Sequence, residues 1–119
     1  MAWPVGPAPA PRNRTVTGFH SNDGVLHVDG VPLTDIAALA GTPCYVYSAN
    51  TLIARAGALA AALAPVPHAI HYALKANSTL AVLRLVRGLG VHADANSVGE
   101  IEVALRAGFI PEQIVFTGV

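Results

Sequence analysis

The chain has 119 residues, with 7 basic and 7 acidic side chains and therefore no net formal charge at pH 7. That balance offers no basic patch of the kind nucleic-acid binding requires, and a hydrophobic content of 53% sets the chain apart from disordered polymers. The single cysteine, Cys44, excludes an internal disulfide framework and a Cys-rich metal site, and it fits a reducing cytoplasm.

The first residues, 1–17, are rich in Pro and Ala and lack the basic start and apolar centre of a signal peptide. They are expected to be a disordered lead-in. Residues 18–48 read as a β segment with a linker. Val25-Leu26-His27-Val28 and Val31-Pro32-Leu33 flank Asp29-Gly30, the dipeptide favoured in a two-residue type I′ hairpin turn. Pro32 limits the second arm to a short or edge strand. Thr34 is the expected cap of a short helix over Asp35–Ala40, with Gly41 as its stop. Cys44-Tyr45-Val46-Tyr47-Ser48 reads as a strand from its aromatic and β-branched content, with Cys44 as a small buried residue.

From residue 49 the pattern alternates between helix and strand. Asn50 is the expected cap of a helix that carries Leu52, Ile53, Ala56, Leu59, Ala60 and Leu63 at near-helical spacing, ended by Pro65 and Pro67. This segment, Thr51 to Ala64, is the longest apolar candidate in the chain. It carries Arg55 and is too short to cross a bilayer, so no membrane span is expected. His68 to Leu74 reads as a buried strand. Ser78 then caps a helix with Leu80, Leu83, Val86 and Leu89 spaced by threes, and Val82 and Leu85 widen its apolar face. Val91–Asp94 is a second strand, Val98 to Ala107 a third helix, and Ile114–Thr117 a third strand after a tight turn at Pro111. Strand–helix–strand order at this period predicts an α/β fold with a parallel sheet and right-handed crossovers. Periodicity alone leaves an open doubly wound sheet and a closed barrel equally available.

Lys75, the only lysine in the chain, follows the first of these strands. A lysine held in an apolar setting can exist as a neutral amine, the form that attacks a carbonyl. The plain alternative is a strand-end lysine whose ammonium reaches solvent. Asp94 closes the next strand and would share an edge with Lys75; its alternative role is to start a turn. Ser97-x-x-Glu100 before an apolar helix is a capping box, which accounts for both residues without catalysis. Asn77 is read as a turn residue. His71 is read as a core or edge histidine, and His68 and His92 lack partners at ligand spacing, so no metal site is expected.

Four stretches stand in an order and spacing that resemble one family. They are Gly41-Thr42-Pro43-Cys44-Tyr45-Val46-Tyr47, Tyr72-Ala73-Leu74-Lys75-Ala76-Asn77, Asp94-Ala95-Asn96-Ser97-Val98-Gly99-Glu100, and Ala107-Gly108-Phe109 through Ile114-Val115-Phe116-Thr117-Gly118. Over about residues 18–119 the chain is similar to the pyridoxal-phosphate amino-acid decarboxylases of the alanine-racemase-like barrel fold, and most of all to the diaminopimelate decarboxylases. The resemblance selects the (β/α)8 barrel, with residues 49–119 as its first βα units, about three of them. A whole barrel needs about 250 residues. It assigns residues 18–48 to the start of a separate β-domain.

The resemblance also implies pyridoxal 5′-phosphate as cofactor, Lys75 as the catalytic residue bonded to it, and Asp94 beside it. The expected reaction is loss of CO2 from a small amino acid, meso-diaminopimelate giving L-lysine, in a homodimer. The phosphate loop and the ring-nitrogen partner are then expected beyond Val119, and residues 1–119 alone are expected to be inactive. Decarboxylation of ornithine, arginine or a carrier-bound amino acid is the alternative within the family, and a non-catalytic pyridoxal-phosphate carrier is the alternative outside it. Ala95-Asn96-Ser97-Val98-Gly99 departs from the family pattern, which is more apolar there and carries a second glycine. The departure bears on the substrate more than on the cofactor.

Overall fold

The computed structural model describes residues 18–118. The lead-in expected over residues 1–17 lies outside them. The described residues fall into two compact units that divide between Val46 and Tyr47.

The first unit is a three-stranded antiparallel sheet in the order β1-β2-β3, with β1 at Phe19–Asn22, β2 at Val25–Val28 and β3 at Val31–Pro32, followed by helix α1, Leu33–Ala40. Both hairpins turn on Asp-Gly pairs. Asp29 and Gly30 have φ of 50° and 85°, the two positive angles that define a type I′ turn. Asp23 and Gly24 repeat this with φ of 48° and 76°. Strand β1 was not anticipated, although Asp23-Gly24 is the same turn signal. The proline-limited arm is the short edge strand expected of it, two residues long.

Three local expectations in this unit need correction. Thr34 does not cap α1. The helix begins two residues earlier, with Pro32 at the cap position, and the Thr34 hydroxyl turns to Asp35 instead. A prolyl φ of −60° already points the chain into a helix without a side-chain acceptor. Residues 44–48 form no strand, because no neighbouring strand pairs with them among the described residues. Strand propensity becomes a strand only where a ladder is available. Cys44 is exposed rather than buried.

The second unit contains helix α2 (Ala49–Leu63), strand β4 (His71–Ala73), helix α3 (Leu80–Gly88), strand β5 (His92–Ala95), helix α4 (Val98–Ala107) and strand β6 (Ile114–Phe116). The strands are parallel in the order β4-β5-β6, as the strand–helix alternation predicts. The register is regular. Tyr72 pairs with Ala93 and Ala93 with Ile114, while Ala73 pairs with Asp94 and Asp94 with Val115.

Because side chains alternate along a strand, these two rows face opposite ways. The Tyr72–Ala93–Ile114 row packs on the helices, where Leu74, Leu83, Ala93, Ala104, Ala107 and Phe109 form the core. A second cluster, Val82, Val86 and Val91, joins Leu52 and Ile70 around α2 and α3. Alanines at 93 and 95, both fully buried, leave room for the larger side chains of the helices above them. The Ala73–Asp94–Val115 row contributes nothing to either cluster.

The helix starts differ from expectation in detail. Ser48, not Asn50, caps α2, its hydroxyl accepting the Thr51 N–H at 3.0 Å. Thr79 rather than Ser78 sits at the cap position of α3 and makes no side-chain bond there. Asn77 accepts the Thr79 N–H at 2.9 Å, the turn role expected of it. On α3 the buried face is Val82, Leu83 and Val86, whereas Leu80 and Leu89 lie at the exposed ends. The strand expected over His68 to Leu74 is only three residues long and half-exposed, with His71 open to solvent.

Candidate functional site

In parallel α/β sheets the strand C-termini form the edge that carries ligands, since the helices and return loops wall off the remainder. Two of the residues singled out by sequence, Lys75 and Asp94, stand at this edge. Beyond β4 the backbone tightens into a single 3₁₀ turn, Leu74–Ala76. Leu74 is fully buried and anchors the turn, while Lys75 beside it is exposed. Lys75 is therefore not the last residue of a buried strand. The anchored turn projects it out of the sheet, and its ammonium has no hydrogen-bond or ion-pair partner among the described residues.

Asp94 lies on β5 beside Ala73 of β4, on the face turned away from the helices. Its Oδ1 accepts the hydroxyl proton of Thr117 at 2.6 Å. Thr117 follows β6 and continues its ladder, its N–H donating to the Ala95 carbonyl at 2.9 Å. The Thr117 hydroxyl oxygen in turn accepts from Asn96 Nδ2 at 2.6 Å. Asn96 Oδ1 is buried and without a hydrogen-bond partner. Gly118 permits this close approach, since a Cβ there would lie 2.6 Å from the Asn96 carbonyl oxygen.

Next along the chain, Ser97 caps α4. Its hydroxyl accepts the Glu100 N–H at 3.2 Å, and Glu100 Oε2 accepts the Asn96 N–H at 2.7 Å. Only the forward half of the expected capping box forms, because the Glu100 side chain accepts the N–H of Asn96 rather than that of Ser97. Asn96 and Thr117 were not singled out from the sequence. The available signal was a polar Asn in a stretch where the resembling family is apolar.

On the same face nearer the strand starts, the His71 and His92 rings meet edge to face at 5.1 Å, and His71 Nδ1 lies 3.4 Å from the Ala93 carbonyl oxygen. Among the described residues no three His, Cys, Asp or Glu side chains converge as a metal site would require. Tyr72, on the helix face, donates its hydroxyl to the Asn77 carbonyl at 3.2 Å and so ties β4 to the turn that presents Lys75. Burial, reinforced by the neighbouring Tyr47, raises the Tyr72 pKa above its ordinary value.

Residues 49–119 match the family described as pyridoxal-dependent decarboxylase, pyridoxal binding domain. The chain belongs to this family. It is 46% identical over 100 residues to the diaminopimelate decarboxylase of Vibrio cholerae, covering 84% of this chain and 24% of that protein. It is likewise 46% identical over 101 residues to the diaminopimelate decarboxylase of Pseudomonas aeruginosa, covering 85% and 24%. Among solved structures, a diaminopimelate decarboxylase from M. jannaschii in complex with L-lysine superposes with a TM-score of 0.72 at 32% identity, covering 87% of this chain and 25% of that one. The chain thus spans about a quarter of the length of the curated relatives it matches.

Proposed function

We propose that residues 49–118 form the opening βα units of a closed pyridoxal-phosphate-binding barrel, with Lys75 as the residue bonded to the cofactor. The observation that carries this reading is the placement of Lys75. It is the only lysine in the sequence, it stands on an anchored turn at the C-terminal edge of a parallel sheet, and its amine is unpaired among the described residues. The polar edge fits such a group. Asp94 brings a carboxylate to the strand next to that of Lys75, and Asn96 keeps a buried acceptor without a donor. When bound, pyridoxal 5′-phosphate supplies the electron sink that makes loss of CO2 from an amino acid feasible. Lys75 holds it in place, Asp94 sets the electrostatics around that amine, and Leu74 and Tyr72 keep the turn rigid.

For the whole protein we infer decarboxylation of meso-diaminopimelate to L-lysine. The support is the name shared by the relatives at about the 40% identity level and the L-lysine bound by one solved neighbour. A homodimer working in the cytoplasm belongs to the same reading. No helix among the described residues is long and apolar enough to cross a membrane, and Cys44 is a free thiol.

The test uses the whole protein that carries this chain, loaded with pyridoxal 5′-phosphate. CO2 release is measured from meso-diaminopimelate, ornithine and arginine, and borohydride-trapped cofactor is mapped by peptide mass. Release from meso-diaminopimelate with trapping at Lys75 is expected. Trapping at another lysine overturns the assignment of Lys75, and preferential release from ornithine or arginine overturns the substrate.

A further inference from the structure

We propose that Thr117 and Asn96 are positioning residues for Asp94: a directed relay from the Asn96 amide through the Thr117 hydroxyl fixes how that carboxylate is presented to Lys75. The inference rests on the functional reading above and deepens it by giving Thr117 and the Asn96 amide nitrogen a role in it.

The direction of the relay follows from donor counting. A carboxylate has acceptors only, and a threonine hydroxyl has one proton. The contact of 2.6 Å between Thr117 Oγ1 and Asp94 Oδ1 commits that proton to Asp94. Thr117 Oγ1 then has only lone pairs left for Asn96, so Asn96 must present Nδ2, which lies at 2.6 Å. This orientation turns Asn96 Oδ1 away, into a place where it is buried and without a partner. Leaving a buried acceptor unsatisfied opposes folding. An apolar side chain at position 96 would avoid that penalty, so what the amide contributes lies in its donor.

The relay is also braced from both sides. The Asn96 backbone is held by Glu100 Oε2 at 2.7 Å, and the Thr117 backbone is held by the Ala95 carbonyl at 2.9 Å. Backbones pinned just past the ends of two adjacent strands, with side chains bonded between them, leave the Asp94 carboxylate little rotational freedom. Ala73 pairs with Asp94, so this fixed carboxylate sits one strand away from the turn that presents Lys75.

The experiment compares Thr117→Val, Thr117→Ser and Lys75→Ala in the whole, cofactor-loaded protein. It reads the rate of borohydride trapping at Lys75, the cofactor absorbance spectrum, kcat and KM separately, and the thermal melt of the cofactor-free protein. Thr117→Val keeps the shape and removes the hydroxyl. It is expected to slow trapping and lower kcat about tenfold, the scale of a mispositioned group, with a shifted spectrum and a near-native melt. Thr117→Ser restores the hydroxyl and should return both rates to within about twofold of wild type.

A native trapping rate and spectrum in Thr117→Val overturn the relay, as does a Thr117→Ser variant as impaired as Thr117→Val, which would make the methyl group the feature that matters. If Thr117→Val does not fold, Asn96→Val is read in its place, since it leaves the Thr117–Asp94 bond available. Slower trapping supports the relay, and a native rate overturns it. Lys75→Ala separates the two readings. Trapping that persists in that variant overturns the role of Lys75, whereas trapping lost there but native in Thr117→Val overturns the relay alone.

Discussion

Glu100 reaches back from the first turn of α4 to accept the Asn96 N–H at 2.7 Å, while its own N–H donates to the Ser97 hydroxyl at 3.2 Å. One residue thus serves both ends of the junction, its backbone N–H at the helix start and its carboxylate at the strand end that precedes it. The acidic side chain also lies where the helix macrodipole favours negative charge.

Ser97→Ala is expected to destabilise the protein by about 1 kcal/mol, the usual value of a lost N-cap. Urea denaturation of the whole protein measures it. Turnover per folded molecule should stay near wild type, and a large loss of turnover at unchanged stability would show that Ser97 does more than cap.

Leu83→Ala removes one of the two largest fully buried side chains, at the centre of the α3–α4 core. A loss of about 2–5 kcal/mol is expected, set by how far the neighbouring helices collapse into the space. A cost below about 1 kcal/mol, read from the shift of the denaturation midpoint, would mean that the packing around α3 is loose.

Tyr72 makes a contribution to stability that depends on pH. Its folded-state pKa is raised by burial and by Tyr47, so the unfolded chain loses the phenolic proton first as pH rises. Stability is therefore complete below the unfolded value of about 10 and falls as pH climbs from there through the higher folded value. Tyr72→Phe should remove this part of the alkaline loss. Equal alkaline slopes for the two proteins, in melts across that range, would contradict the assignment.

Residues 1–119 expressed alone are expected to associate rather than melt as a cooperative monomer, and to release no CO2 from meso-diaminopimelate. Within the described residues β4 and β6 each pair on one side only, and the face bearing Asp94 contributes nothing to the core. Unpaired parallel edges invite other chains. Sedimentation combined with a denaturant melt decides it, and a sharp two-state transition in a monomer would refute the expectation.

The α/β alternation, the parallel order, the Asp29-Gly30 hairpin and the Ser97 cap were legible because each depends on residues close together in the sequence. A glycine after an aspartate sets a turn, and a hydroxyl three residues before a glutamate sets a helix start, whatever lies elsewhere. The errors came where a partner decides. Residues 44–48 have the composition of a strand yet pair with nothing among the described residues. Strand β1 has modest composition yet pairs along its whole length with β2.

The candidate site divides in the same way. By itself the sequence placed a lone lysine just past one strand and an aspartate near the end of the next, because hydrophobic periodicity locates strand ends to within a residue or two. Only the tertiary structure decided that Lys75 stands clear of the sheet on a buried leucine anchor, and that Asp94 is bonded to Thr117, 23 residues away in sequence. Parallel register brings such residues together across separate βα units. The pairing energy that fixes this register belongs to backbone ladders and to a core assembled from all the helices, and no local stretch of sequence carries it.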